Sequence, residues 1–466
     1  MTHHAKNSAT KAIDRVQQRL TDYACSLEYE GISSSAVHAA KVRIIDTLGA
    51  LMGGFFSEPA RLARNLAAQT PGPNGSSVIG TRMKTTPDMA AFVNGTTARF
   101  SEMSDIYDCP GGVGGHPSDV LMPVLGVAEH VKASGREFIT SVVLAYEVYL
   151  RISDGFHNTG WDHTNFSCAG TAVASGKLLG LNPVQMSHCI AMAVVPNNML
   201  RQARTNHLTM FKSTATGHAG RAGVFAALLA RAGMEGPHLP YEGKAGWMDH
   251  VACDRYTLDA MGGGAIPFKI LETLLKNRPV ASGAITAILA AEKLAPLRNL
   301  KDVKQVTVEV YKRAKEVLGT GEHFWNPDSG DTADHSIPYC VAAALLDGTV
   351  TPRSFDDAHL HNPHLHALLQ KIEVVENPQF TKEFKQRPHL ARVTVVTHQG
   401  ERLVGEAGGN QDGLSTQKPQ SDIEEKFRVV SEDCLGAKQV RSILERLWRL
   451  EDMEDVATIP SAFVFA

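Results

Sequence analysis

The short run Gly262-Gly-Gly-Ala265 separates two parts of the chain that follow different sequence patterns. From about residue 10 to 265, apolar residues recur at three- and four-residue intervals, which is the spacing of a helix with one buried face. One such set is Val37, Ala40, Ile44, Leu48 and Leu51. Segments such as 169–176 also carry Ala and Gly where two helices would meet, so this part predicts a compact helical bundle.

Beyond Ala265, β-branched residues alternate with polar ones, which predicts half-buried strands. The alternation occurs at residues 306–310, 372–374 and 393–395. Gln399-Gly400 lies between two such runs and indicates a hairpin turn. Helical patterns flank the strands at 283–294, 338–347 and 422–431. We therefore expect a mainly α protein, with a large helical domain (1–267 and 406–466) and a small α+β domain (268–405).

The composition argues against several classes of protein. The chain of 466 residues has a formal net charge of −3 and no run of Lys or Arg, so we expect no binding to nucleic acid or to a membrane surface. The N-terminus lacks the apolar core of a signal peptide, and no stretch approaches the roughly 20 apolar residues of a membrane span. The 7 cysteines form no CxxC pair. These features predict a cytoplasmic globular protein.

The first segment that could carry chemistry runs from Glu102 to His116. Glu102 and Asp105 lie three residues apart, on one face if the helix continues, and a Gly-rich loop (109–115) follows. Glycines allow backbone to approach a ligand closely, and Ser118 lies where a new helix could begin, with N–H groups that suit a carboxylate. The alternative is a helix–loop–helix with a solvated acidic end.

Two further segments contain a histidine or a lysine in a suggestive context. In Trp161-Asp162-His163, the Asp could orient the imidazole for proton transfer, although a partly buried, hydrogen-bonded histidine is the alternative. Lys212 precedes a helix of small residues, where its charge could be compensated by a bound carboxylate. The alternative for Lys212 is a lysine whose ammonium extends to solvent at a helix start.

The second part of the chain adds two candidates. Lys276 and Arg278 suggest an anion site at the domain boundary, or else a solvated basic face. Asp331 to Tyr339 reads Asp-Thr-Ala-Asp-His-Ser-Ile-Pro-Tyr, in which Pro338 suits the first turn of a helix capped by Ser336 or by the preceding histidine. No Walker A motif, dinucleotide fingerprint, HExxH motif or paired metal-ligand spacing occurs, so we expect no cofactor and no metal.

Together these five segments resemble the MmgE/PrpD family, which includes 2-methylcitrate dehydratase, cis-aconitate decarboxylase and iminodisuccinate epimerase. The resemblance covers nearly the whole chain. It is carried by His116-Pro-Ser with Val120-Leu-Met-Pro-Val-Leu, Ala145-Tyr-Glu-Val, Gly176-Lys-Leu-Leu-Gly-Leu and Asp331 to Tyr339. It implies a site in the cleft between the two domains, a homodimer, and chemistry on a small di- or tricarboxylate without a cofactor.

The resemblance also implies roles for particular residues. The implied catalytic residues are His116, His163, Lys212 and Tyr339. The expected substrate contacts are Arg99, Glu102, Asp105, Tyr146 and Lys276. The chain departs from the usual family pattern, with Glu102 in place of Asp, Ile106 in place of Thr, four residues added before His116, and Ala215 in place of His.

These departures remove polar groups that would assist a hydroxyl leaving group, whereas a proton swap needs only two acid–base groups and carboxylate clamps. Our hypothesis from the sequence is an epimerase of a small dicarboxylic imino- or amino-acid, most like iminodisuccinate epimerase, which removes and returns a proton α to a carboxylate. The alternatives are a 2-methylcitrate-type dehydratase, a cis-aconitate-type decarboxylase, and a non-catalytic carboxylate-binding protein.

Overall fold

A computed structural model describes residues 12–109, 112–205, 208–258, 260–409 and 414–465. The part of the chain before residue 265 contains α1 (Arg15–Ser26), α2 (Ser34–Gly54), α3 (Glu58–Ala67), β1 (Pro71–Ser77), β2 (Lys84–Thr85), α4 (Pro87–Phe100), α5 (Leu121–Val131), α6 (Gly135–Asp154), α7 (Thr164–Leu178), α8 (Pro183–Val194) and α9 (Phe211–Arg231). The mainly α architecture with a smaller α+β part is confirmed. None of the helices in these ranges is long and apolar enough to cross a membrane.

The second part alternates short helices with strands. It contains α10 (Ser282–Glu292), β3 (Val303–Val310), α11 (Lys312–Leu318), α12 (Gly330–Ala333), α13 (Ile337–Asp347), α14 (Asp357–Leu360), α15 (Pro363–Leu369), β4 (Ile372–Glu376), α16 (Pro378–Glu383), β5 (Ala391–Thr397) and β6 (Arg402–Ala407). The chain continues with α17 (Gln420–Leu435), α18 (Ala437–Trp448) and α19 (Thr458–Ser461).

Small residues allow the helices of the first part to pack closely. A Cβ atom at Gly217 of α9 would lie 2.2 Å from the Thr96 Oγ1 and 2.4 Å from the Phe92 carbonyl oxygen, both in α4. Glycine is therefore required at this crossing of the two helices. The Ala- and Gly-rich sequence predicted such close packing, and it matters for the site because α4 and α9 each carry charged side chains into it.

The sheet of the second part has the strand order β4-β3-β5-β6. Strand β3 pairs with β4 in parallel and with β5 antiparallel, and β5 and β6 form an antiparallel hairpin. Gly400, in the turn of this hairpin, has a φ of 86°, which glycine adopts without strain. The strand alternation and the hairpin turn predicted from the sequence are confirmed.

The buried apolar residues form two main clusters. One contains residues from 16 to 275 and from 423 to 463, so α17 and α18 return to the helical part, as expected. The other contains residues from 280 to 414. The exact domain limits at 267/268 and 405/406 stay a prediction, and residues 1–11 and 410–413 lie outside the described ranges.

Ile106 belongs to the second cluster although it lies far earlier in the chain. Its backbone N–H and C=O pair with those of Leu274, at 2.9 and 2.8 Å. The segment after α4 therefore lies at the junction of the two cores, and it brings the acidic residues around it to that junction.

Candidate active site

Glu102 is at the centre of a buried charged cluster at this junction. It follows the end of α4 with a φ of 51°, a left-handed conformation that is uncommon for a side chain other than Gly, Asn or Asp. Its Oε1 accepts a hydrogen bond from Arg99 at 2.6 Å, and Oε2 accepts one from Lys276 at 3.1 Å. Burial alone would raise the pKa of Glu102, but Arg99, Lys212 and Lys276 outweigh it and hold the pKa well below its usual value.

Lys212 is fully buried in the first turn of α9 and contacts carboxylates from both parts of the chain. Its Nζ lies 3.3 Å from Glu102 Oε1, 3.0 Å from Asp331 Oδ1 and 3.4 Å from Asp334 Oδ2. Burial lowers the pKa of this lysine, but the three carboxylates outweigh burial and raise it. Lys212 is therefore a permanent ammonium group in this environment.

The pKa of Lys276 is shifted in the opposite direction from that of Lys212. Its Nζ donates to the carbonyl oxygens of Glu102 and Val280, at 2.9 and 3.0 Å, besides the Glu102 carboxylate. Burial lowers the pKa of Lys276, and the single neighbouring carboxylate does not fully offset it. The segment that sequence analysis assigned to a boundary anion site thus contributes one buried cation to the cluster, whereas Arg278 pairs with Glu292 at 2.7 Å.

The small domain contributes Asp331, Asp334 and His335, which sequence analysis did not include among the site residues. The Nδ1 of His335 is in close contact with the Asp334 carboxylate, and its Nε2 lies 4.0 Å from Glu102 Oε1. Burial raises the pKa of Asp334, against the opposing effect of Lys212. The sequence did contain a signal for these residues. Two Asp and a His precede the helix that begins near Pro338, and capping that helix does not require them.

His116 forms the neutral side of the site. It is only half-buried, and its Nδ1 lies 2.9 Å from the Asp105 carbonyl oxygen. A carbonyl can only accept a hydrogen bond, so Nδ1 carries the proton and Nε2 keeps its lone pair. Burial and then the charge of Arg99 hold the pKa of His116 well below its usual value. His116 is therefore a neutral base whose Nε2 forms no hydrogen bond within the described part of the chain.

Asp105 and Tyr146 support His116. One Asp105 carboxylate oxygen accepts from the Ser118 N–H at 3.0 Å, and the other accepts from the Tyr146 hydroxyl at 3.1 Å. Both side chains are buried beneath the turn that carries His116. Their hydrogen bonds hold the loop, and the substrate contacts expected of these two residues stay a prediction.

His163 lies beside His116, with 5.4 Å between the ring centroids. Its Nε2 lies 3.4 Å from Asp119 Oδ2 without forming a hydrogen bond, and burial lowers the pKa of the ring. Arg99 Nε, Ser118 Oγ and the Tyr149 hydroxyl are among the other buried polar atoms without a hydrogen-bond partner in the described residues. Unsatisfied buried polar atoms are rare in folded proteins.

The structure does not bring Tyr339 into the cluster. Its hydroxyl donates to the Ser354 carbonyl oxygen at 2.7 Å, and its ring stacks on Phe355. Ser336 caps α13 by accepting from the Tyr339 N–H, as predicted from the sequence. Because side chains on a helix point in fixed directions, this register turns Tyr339 into the small-domain core.

Glu102, Asp334 and His335 have the donor set of a metal site, since one ligand atom from each lies within 4.8 Å of the others. However, the Lys212 ammonium lies 3.3 Å and 3.4 Å from the two carboxylates. This ammonium already supplies the positive charge that a cation would bring. The donor set is therefore used by an internal ion pair.

Both parts of the chain match models of one protein family. The family model of the MmgE/PrpD N-terminal domain matches residues 18–258, and that of the MmgE/PrpD C-terminal domain matches residues 279–450. The mitochondrial 2-methylcitrate dehydratase of Yarrowia lipolytica is 28% identical over 408 residues, covering 81% of this chain and 75% of the relative. The cis-aconitate decarboxylase of Homo sapiens is 24% identical over 454 residues, covering 92% and 90%. The 2-methylcitrate dehydratase of Escherichia coli K12 is 25% identical over 471 residues, covering 94% of each chain.

Proposed function

The chain belongs to the MmgE/PrpD family, and we propose that it is a lyase that dehydrates a small hydroxy di- or tricarboxylate. The observation that carries the proposal is a neutral base, His116, beside a buried set of cations and a protonatable carboxyl. A base, an acid and fixed positive charge are what removal of a proton next to a carboxylate requires.

In the proposed reaction, His116 Nε2 takes the proton from the carbon next to a substrate carboxylate. The electron pair of that C–H bond forms the new C=C bond as the C–O bond to the β-hydroxyl breaks. The pair of Asp334 and His335 donates a proton to the departing oxygen, which leaves as water. Lys212, Lys276 and Arg99 stabilise the enolate-like charge that develops on the carboxylate, a type of interaction that gains strength in a water-poor site.

The arrangement of Ile106 weakens the epimerase hypothesis that the sequence suggested. In that hypothesis, Ile106 stands where the family usually has Thr, so a polar group that would assist the departure of a hydroxyl is missing. The Ile106 side chain is instead packed in the small-domain core, where its polarity has no bearing on a substrate. Asp334 and His335 supply acidic groups that were not counted. The relatives named as a dehydratase and a decarboxylase also favour a lyase over an isomerase.

A homodimer remains part of the proposal. Phe211, His218 and Phe225 recur at seven-residue intervals on the outer face of α9 and are exposed, with Phe225 at 51%. Leu200, Met210 and Val195 are exposed large apolar residues of the neighbouring segments. Exposed apolar residues grouped in this way are typical of an interface between subunits.

The test is incubation with a panel of hydroxy di- and tricarboxylates, followed by mass spectrometry and ultraviolet absorbance. We expect loss of one water and a new absorbance from a C=C bond conjugated to a carboxylate. Loss of CO2 would replace the proposal by a decarboxylase. Uptake of solvent deuterium at the α-carbon in D2O, with decay of optical rotation and no loss of mass, would restore the epimerase. Saturable binding without turnover would indicate a non-catalytic binding protein.

A further inference from the structure

Three side chains connect the small domain to the loop that carries His116. The Nε2 of His389 lies 3.0 Å from Asp108 Oδ2, and its Nδ1 lies 3.1 Å from the Tyr311 hydroxyl. Since a carboxylate can only accept, Nε2 carries the proton and donates to Asp108, and the Tyr311 hydroxyl then donates to Nδ1. The hydrogen bond from His389 lowers the pKa of Asp108, so this carboxylate is charged. None of these three residues belongs to the charged cluster.

His389 adopts a backbone conformation that disfavours its side chain. Its φ is 56°, in the left-handed region, and it lies just before β5. The residue is nevertheless buried, and its ring packs between Tyr311 and Phe384, at centroid distances of 5.5 and 5.1 Å. A residue other than glycine is strained in this conformation. Such outliers persist where the surrounding structure fixes them, often at functional positions.

Asp108 is located where a displacement would reach His116. Its neighbour Tyr107 exchanges two backbone hydrogen bonds with Gly115, at 2.8 and 3.1 Å, and Gly115 directly precedes His116. A Cβ atom at Gly115 would lie 2.4 Å from the His163 ring and 2.4 Å from the Tyr149 hydroxyl, so this backbone has little room to shift without contacts changing. Holding Asp108 therefore fixes the register of the loop on which His116 depends.

We propose that His389 is a positioning residue for His116, acting through Asp108 from the opposite domain. His389 does not contact the charged cluster. Its hydrogen bond to Asp108 holds the start of the loop that carries His116 against the small domain. The site then keeps its geometry only when both domains are docked, because His116 belongs to one domain and the acids Asp334 and His335 belong to the other. The activity readout rests on the proposed function, but the structural readout does not.

The experiment compares His389→Gly with His389→Gln in the full chain. Glycine accepts the left-handed backbone but removes a buried ring and its two hydrogen bonds, so the melting temperature should fall, and exchange is measured well below it. Amide hydrogen exchange in residues 105–109 and 112–116 should accelerate at least about tenfold, as expected from loss of one charge-assisted hydrogen bond. Dehydration turnover should fall by a similar factor. Glutamine can place an amide N–H near the position of the His389 Nε2 and donate to Asp108, so it should restore much of both.

Lys132→Gly is the matched control, because Lys132 has the same φ of 56° at the end of α5, remote from the loop. It should leave loop exchange and turnover unchanged. Unchanged loop exchange in His389→Gly would overturn the positioning role, whether or not the wild type dehydrates anything. Accelerated exchange in a protein without turnover would instead support the positioning role and contradict the proposed function.

Discussion

The site has two walls that resolve the same physical problem in opposite ways. The charged wall consists of Arg99, Glu102, Lys212 and Lys276, joined by Asp331 and Asp334, and contains cations and carboxylates in direct contact. The imidazole wall consists of His116 and His163, and burial lowers the pKa of both rings. Removal from water disfavours charge in both walls, and partners of opposite charge outweigh it at Glu102 and Lys212 of the charged wall but not at the two rings.

This difference separates two tasks. Groups whose charges are fixed by their neighbours are suited to holding a polycarboxylate and stabilising an anionic transition state. Groups kept neutral near physiological pH are suited to accepting a proton. The charged wall is also built from both domains, whereas both imidazoles belong to the helical part. Changes to the charged wall should therefore affect stability and activity together, and changes to the imidazole wall should affect mainly activity.

The largest effect is expected from Lys212→Met. It leaves Glu102, Asp331 and Asp334 as buried carboxylates without their shared ammonium, which typically costs about 3–5 kcal/mol. Urea denaturation should show this loss, and dehydration should become undetectable. The control is Arg353→Met, because Arg353 pairs with Asp433 at the surface with side chains 77% and 71% exposed. Such pairs contribute about 0–1 kcal/mol. A stability loss no greater than that of the control would contradict the charged wall as described.

The next effect is expected from His116→Gln. The glutamine amide can donate to the Asp105 carbonyl, so the loop should keep its support and the free energy of unfolding should change by less than about 1 kcal/mol. Turnover should fall by about 10²–10⁴-fold because the general base is lost. Measuring kcat with urea denaturation on the same preparation separates the two quantities. Equal losses of stability and activity would mean that His116 is structural.

A third, smaller effect concerns the pH dependence of stability. The pKa of His116 is lowered in the folded protein, while the unfolded chain titrates near its usual value of about 6.5. Below about pH 6.5 the unfolded chain therefore binds the additional proton first, and stability falls as the pH drops toward the folded pKa. For one proton the slope is at most about 1.4 kcal/mol per pH unit. Wild type should lose more stability than His116→Gln between pH 7.5 and 5.5, and equal losses would contradict a neutral His116.

Sequence patterns predicted the fold because burial leaves a periodic signature. The change of period at Gly262-Gly-Gly-Ala265, the strand at 306–310 and the hairpin at Gly400 all followed from local spacing. The resemblance to the family, together with the local context, also singled out His116, Lys212 and Lys276, which the structure brings into one region. These predictions were possible because they depend on the residues within short segments and on the order of those segments along the chain.

Other features depended on three-dimensional detail that spacing does not contain. The left-handed backbone of Glu102 has no signature in its neighbours, and the use of Ile106 as a core residue of the distant domain arises from chain packing. The sequence also does not show that Asp105 and Tyr146 support the loop of His116 through hydrogen bonds. Asp334 and His335 were present in the motif, but the family resemblance implied a catalytic role for the tyrosine that follows them, Tyr339.

Tyr339→Phe should have the smallest effect on turnover, and it tests the boundary of the site. The change removes the donor to the buried Ser354 carbonyl and keeps the ring stacked on Phe355, so stability should fall by about 1–3 kcal/mol through the unpaired acceptor. Because the hydroxyl is directed into the small-domain core, kcat and KM should stay close to those of wild type. A large loss of kcat with unchanged stability would place Tyr339 at the reacting atoms after all. The hydrogen bond to Ser354 would then have to break when substrate binds, and the imidazole wall would gain a proton donor from the opposite domain.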